Sequence, residues 1–383
     1  MGKYLSRDLK ILSLAFFFMF MGASFQQFLI PYLQETTSWS TMKCSAIIMM
    51  VYTAFLFWRI FVNYSIPALG DYLSIVLGSI TYSGFVATLY LTKQYPLLMI
   101  AAFVWGWGAA SMWIVSSTQV LDAARESAYG RASGIFYAAT HAGFAVGVVI
   151  LGRMGDRFGK DAVLLSAITA MVIGNIVMLF VPRKRVQRET DIRIIFSMMR
   201  KAKVEIVGFF LFASALGFGF LLGVFTGVAE ENNLAYLANT AVFFPIARLI
   251  ISFSGGIISD KLGRARTLIF AFFISCLGMF LAGIWSNMFT VGFSAFSLGL
   301  QGGLVPVAAM AIIGDSAVKE RRHLAFSAMF VWRDLGVVFS VFLGQYLRVL
   351  LGGFRPCFLV FAGIFLVCAI LSVILIRRET EEL

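Results

Sequence analysis

The chain has 383 residues, 60% hydrophobic and 13% charged, with a formal net charge of +12. Soluble domains carry about 25% charged and 45–50% apolar residues; this balance, with a mean hydropathy of +0.89, excludes a water-solvated globule and requires a lipid solvent. The 4 cysteines (Cys44, Cys276, Cys357, Cys368) form no C-x-x-C pair and there are 2 histidines, so the sequence offers no disulfide framework, metal site, phosphate-binding glycine loop or catalytic constellation.

A membrane-crossing helix needs about 20 mostly apolar residues. Segments of that kind are predicted at 10–31, 45–66, 72–92, 96–120, 130–152, 162–181, 204–228, 236–258, 266–285, 289–313, 324–347 and 357–376, here numbered 1 to 12 in chain order. The first is too long for a cleaved leader and lacks a small-residue cleavage site. The longest gap, "PRKRVQRETDIRIIFSMMRKAK" from 182 to 203, reads as a basic linker. With the N-terminus in the cytoplasm, 21 of the 31 Lys+Arg fall on that side, 7 fall opposite, and Arg59, Arg248 and Arg333 lie within segments. This is the positive-inside bias of a multi-pass inner or plasma membrane protein with both termini cytoplasmic. It accounts for the positive charge without nucleic acid.

The two parts of the chain repeat. Lys10 and Lys203, Gly70 and Gly263, Asp122 and Asp315, and Gly143 and Gly336 are each 193 residues apart. Helical periodicity alone does not produce one constant offset across such different segments. The expected fold is all-α and polytopic: a six-helix bundle over 1–181, the linker 182–203, and a second six-helix bundle over 204–383. Parallel repeats of this kind place a substrate site between the halves near the midplane.

Between segments 8 and 9 stands "GGIISDKLGRAR", Gly255 to Arg266. Gly256, Asp260, Lys261, Gly263, Arg264 and Arg266 match the pattern G-x-x-x-D-[RK]-x-G-[RK]-x-[RK]. The chain therefore resembles the major facilitator superfamily, whose signature this is. The copy between segments 2 and 3, "NYSIPALGDYL", keeps only Gly70, with Asn63 and Pro67 in place of the first glycine and the aspartate. The resemblance covers essentially the whole chain. It implies a transporter working by alternating access, with the 8–9 loop as a conformational latch. Asp260 can sit at a helix N-terminus, where the dipole favours an anion. "GRMGDRFGK" (152–160), between segments 5 and 6, reads as a turn.

Ionisable groups at bilayer depth cost at least ~2.5–3.5 kcal/mol and mark candidate sites. Arg59 lies in segment 2 and Arg248 in segment 8, one turn from the repeat position of Arg59. His141 in segment 5 has Asp334 as its repeat partner, next to Arg333. The resemblance implies that segment 2 faces 11 and segment 5 faces 8, which suggests two contacts, Arg59 with Asp334 and Arg248 with His141. These are either interdomain struts or ligands and gates; Arg248 is the leading ligand because no acid obviously neutralises it. Each guanidinium fork can hold a carboxylate or phosphate. Members of the family often carry a mid-membrane acid in segments 1, 4, 7 or 10 for proton coupling; none is present at that depth here, which leaves Asp334 or His141. Uncharged candidates are Gln26, Gln27, Tyr52, Asn175 and Gln301; Gln26 and Gln27 diverge by about 100° on a helix, so only one can face inward. Trp105, Trp107 and Trp113 are read as packing first and as an aromatic pocket second.

The expected function is a secondary active or facilitative transporter, symporter or antiporter, of a small organic or inorganic anion held by intramembrane arginines. The alternative is an exporter of amphipathic drugs, lipids or metallophores with an aromatic cavity. A non-transporting sensor on the same fold is a third reading. Expected partners are a small-molecule substrate, membrane lipid and a coupling proton or counter-anion. The expectation includes no cofactor, metal, enzyme activity or nucleic acid, and a monomer.

Overall fold

A computed structural model describes residues 6–124, 129–183, 189–199, 202–225, 228, 242–262 and 264–381. Its α-helices are α1 (Arg7–Ala23), α2 (Leu29–Thr36), α3 (Thr41–Leu91), α4 (Tyr95–Asp122), α5 (Tyr129–Phe158), α6 (Lys160–Met178), α7 (Arg193–Met199), α8 (Ala202–Gly223), α9 (Phe243–Leu262), α10 (Arg264–Ile284), α11 (Met288–Ser316), α12 (Arg322–Leu351) and α13 (Arg355–Glu381). Among the described residues there are no strands.

Helix α3 has 51 residues. A straight helix of that length would run about 77 Å, against a hydrocarbon core of about 30 Å. It folds back at Gly70, whose φ of 78° and ψ of 159° break the helical path. Only glycine takes such a conformation without penalty. Pro67 stays inside the helix, so within the predicted gap at 67–71 the path breaks only at the glycine. Both arms then pack on α4: Ala54 meets Gly106 before the break, and Gly78 meets Gly108 after it.

Nine helices among the described residues are long and apolar enough to cross a membrane. Splitting α3 adds a tenth, and the shorter apolar stretches Phe243–Ser252 and Ile269–Ile284 bring the total to twelve crossings. The first crossing is not one helix as predicted. It is α1, a 3-10 turn over Ser24–Gln27, and α2. The basic linker holds the short α7, where Ile195 packs on Leu324 and Ala328 of α12. Residues 229–241, which include the first six positions of the predicted eighth segment (236–258), lie outside the described residues, and α9 is described from Phe243.

The packing repeats as the sequence does. Helix α1 packs on α5 and α8 on α12; α4 packs on α3 and α11 on α9; α6 joins the second arm of α3 and α13 joins α10. Equivalent glycines make the first of these contacts. A Cβ on Gly143 would lie 2.0 Å from the Phe17 carbonyl oxygen, and one on Gly336 2.4 Å from that of Phe212. The result is two six-helix bundles, joined mainly through α5 with α9 and α3 with α12.

Candidate functional site

A cavity of about 80 Å³ lies where these joining helices meet. The aromatic rings of Phe20, Tyr52, Phe55, Trp113, Tyr137 and Phe218 are among its walls, and Arg248 and Arg333 supply its positive charge. Among the described residues no carboxylate lines it. Gln26, Tyr82, Thr140 and His141 add to its polar lining from the first half.

The floor, on the side nearer both chain termini, is ionic. Asp334 is 0% exposed and shared: Arg59 Nε donates to Oδ2 at 2.8 Å, and Arg333 donates to Oδ1 through Nε at 2.9 Å and Nη2 at 2.7 Å. One carboxylate thus offsets one of two guanidiniums. The rings of Phe55 and Phe330 carry part of the remainder, with the Arg59 guanidinium carbon 4.3 Å and 5.5 Å from their centres.

Arg248 sits differently from the expected pairing with His141. Its Nε and Nη2 donate to the Gly302 carbonyl of α11 at 3.2 Å and 2.9 Å. His141 reaches α9 one turn further on. Ser252 Oγ donates to the Arg248 carbonyl at 2.7 Å and stands 3.0 Å from His141 Nδ1. A hydroxyl has one proton to give, so Nδ1 is the donor in the second contact. A carbonyl carries no net charge, so Arg248 remains uncompensated. Arg59, Arg248 and Arg333 against Asp334 leave a surplus of two positive charges at the cavity and its floor.

Gln26 and Tyr52 come together: the Tyr52 hydroxyl donates to Gln26 Oε1 at 3.0 Å on the cavity wall. Gln27 turns away, buried with neither amide atom partnered among the described residues. Gln301 is also off the cavity, where its Oε1 accepts from Ser275 Oγ at 3.4 Å. Asn175 donates to Ser83 on the flank of the first half. Trp105 and Trp113 line the cavity, whereas Trp107 donates to Ser65 elsewhere. Of the expected latch, Gly263 lies outside the described residues, as do the surroundings of Gly256 and the side chains of Asp260, Lys261, Arg264 and Arg266.

Below the floor, two further ties cross between the halves. Asn63 Nδ2 donates to Ser327 Oγ at 2.9 Å. Arg322, at the start of α12, donates to Asp122 Oδ1 at 2.8 Å and to the Tyr129 hydroxyl at 2.6 Å. Sequence reasoning missed Arg322, which reads as one more loop base in "KERRH". Its repeat position, 193 residues earlier, is Tyr129 itself. Towards the other end the halves meet through rings, Phe144 against Phe218 at 6.4 Å between centres.

The model of the family described as Major Facilitator Superfamily matches residues 12–229 and 207–383. A multidrug resistance protein MdtG from Klebsiella pneumoniae is 24% identical over 272 residues, covering 66% of this chain and 64% of that protein. Its counterpart from Citrobacter koseri is 24% identical over 256 residues, covering 63% and 62%. The matches thus span less than two thirds of the length of these relatives. The crystal structure of the human organic anion transporter MFSD10 (TETRAN) superposes with a TM-score of 0.73, covering 96% of this chain and 99% of that one at 11% identity, which is a likeness of fold. With twelve crossings in two repeated bundles and a family match along nearly its whole length, this chain is a member of the Major Facilitator Superfamily.

Proposed function

We propose that this integral membrane protein is a secondary transporter that carries a small anion by alternating access. The superfamily consists of transporters rather than enzymes. The observation that carries the anion reading is the cavity between the halves, walled by Arg248 and Arg333 with no carboxylate on its lining among the described residues. Buried positive charge is costly unless compensated, and an anionic ligand compensates it. In this reading residues 1–181 and 204–383 rock about the cavity as two bodies joined by the linker 182–203, with both termini in the cytoplasm of an inner membrane. The protein works as a monomer. The ties of Arg59, Asn63 and Arg322 hold the cytoplasmic side closed, and the loop around Asp260 and Lys261 supports that state.

The test is current from proteoliposomes on a solid-supported membrane after jumps of benzoate or inorganic phosphate. Wild type gives a transient charge movement and Arg248→Ala, eluting as a monodisperse species, gives none. Equal currents from both would remove Arg248 from the site.

A second reading is export of amphipathic compounds. It is favoured by the ring-lined walls, Phe20, Tyr52, Phe55, Trp113, Tyr137 and Phe218. The multidrug resistance relatives point the same way. It replaces the first if tetraphenylphosphonium, and not the anions, moves equally in wild type and Arg248→Ala.

A further inference from the structure

We propose that Pro306 and Gly302 preset Arg248 for end-on capture of an oxyanion. The inference deepens the anion reading above and rests on it. In an α-helix the N–H of residue i+4 serves the carbonyl of residue i. Within α11 the partner of the Gly302 carbonyl is position 306, and Pro306 has no N–H. A buried carbonyl left alone is unfavourable. Arg248 fills the vacancy from the neighbouring helix with two donors, at 3.2 Å and 2.9 Å.

The approach depends on glycine. A Cβ on Gly303 would fall 2.9 Å from the Arg248 Cα and 2.3 Å from Ile251 Cγ2, and one on Gly299 would fall 2.2 Å from the Phe244 carbonyl oxygen. So α9 and α11 meet backbone to backbone, which sets the reach of the Arg248 side chain. The rings of Phe244 and Phe218 stand 5.1 Å and 5.5 Å from the guanidinium carbon and confine its plane further.

The carbonyl takes one edge of the guanidinium, Nε with Nη2. Nη1 has no protein acceptor among the described residues, and the side chain lines the cavity. The Nη1–Nη2 end is therefore the edge presented to a ligand. A planar fork held by its other edge meets a carboxylate, sulfonate or phosphate with little further loss of side-chain freedom. The first half lacks the device: 193 residues before Pro306 and Gly302 stand Trp113 and Ala109. Twofold helix packing does not require the proline, which suits a task particular to this half. The ring-lined walls suit an aryl body on the anion.

The experiment is thermal unfolding of the full-length purified protein with 2-naphthoate and with neutral 2-naphthalenemethanol. A ligand that binds only the folded state raises the unfolding temperature. Wild type is stabilised by naphthoate and not by the alcohol. Pro306→Ala returns the N–H to the helix, so it unfolds at the same or a higher temperature without ligand. Its apparent Kd for naphthoate rises about tenfold, the worth of one immobilised side chain. Unchanged affinity in Pro306→Ala, with Arg248→Ala abolishing the shift, would overturn this proposal and leave the anion site standing. No naphthoate-specific shift in wild type would contradict both. Should Pro306→Ala fail to fold, Arg248→Lys decides: an ammonium can satisfy the Gly302 carbonyl without offering a planar fork, so the variant should fold and lose the shift. Affinity equal to wild type in Arg248→Lys would overturn the proposal.

Discussion

Asp334 divides its two oxygens between Arg59 and Arg333 while itself 0% exposed. Removing one member of such a buried set strands the others, at about 3–5 kcal/mol. Asp334→Asn keeps the shape and loses the charge, so it should lower the unfolding temperature sharply in a detergent melt; an unchanged melt would make the triad dispensable. The Arg59–Asp334 contact was legible in the sequence because the repeat offset and the facing segments both point to it. The acceptor of Arg248 was not, because it is a backbone carbonyl. Pro306 marks Gly302 as the freed group four residues back, but only the packing of α9 on α11 says which side chain fills it. Gln301 was a candidate for the site and is buried elsewhere, and of Gln26 and Gln27, only one of which could face inward, it is Gln27 that turns away. In a membrane helix the lipid-facing and protein-facing sides are both apolar, so hydrophobic periodicity does not fix which way a glutamine turns.

At the scale of elements, small residues decide how closely helices approach. Membrane helices gain no hydrophobic drive from leaving lipid, and they associate through close packing instead. Gly143 lies directly against the Phe17 carbonyl, whereas nothing lies within 4 Å of a Cβ on Gly84. Gly143→Ala should therefore separate α1 from α5 and destabilise the protein by about 1–3 kcal/mol or more. Gly84→Ala should be neutral or stabilising by up to about 1 kcal/mol. Side-by-side melts check the pair, and equal behaviour would contradict the packing described. The crossings themselves were legible from length and apolarity. The turn between the two arms of α3 falls at Gly70, within the predicted gap at 67–71, because the proline fits within the helix and the positive φ needs glycine. The 3-10 turn at Ser24–Gln27 carries no composition mark that sets it apart from the helix around it.

At the scale of the molecule, the two bundles are tied by side-chain bonds on the side of the cavity nearer the termini and by rings on the other. Asn63–Ser327 is the simplest of the ties, 2.9 Å between the polar atoms and one turn below Arg59. The proposed transport cycle requires these two positions to part. Asn63→Cys with Ser327→Cys, in a background with Cys44, Cys276, Cys357 and Cys368 replaced, tests this directly. Oxidation should link α3 to α12 and abolish the benzoate-evoked current from proteoliposomes, and reduction should restore it. Full current through the oxidised, fully linked protein would mean that the halves do not separate there, and would contradict the account of an anion carried through a cavity opened alternately to the two sides.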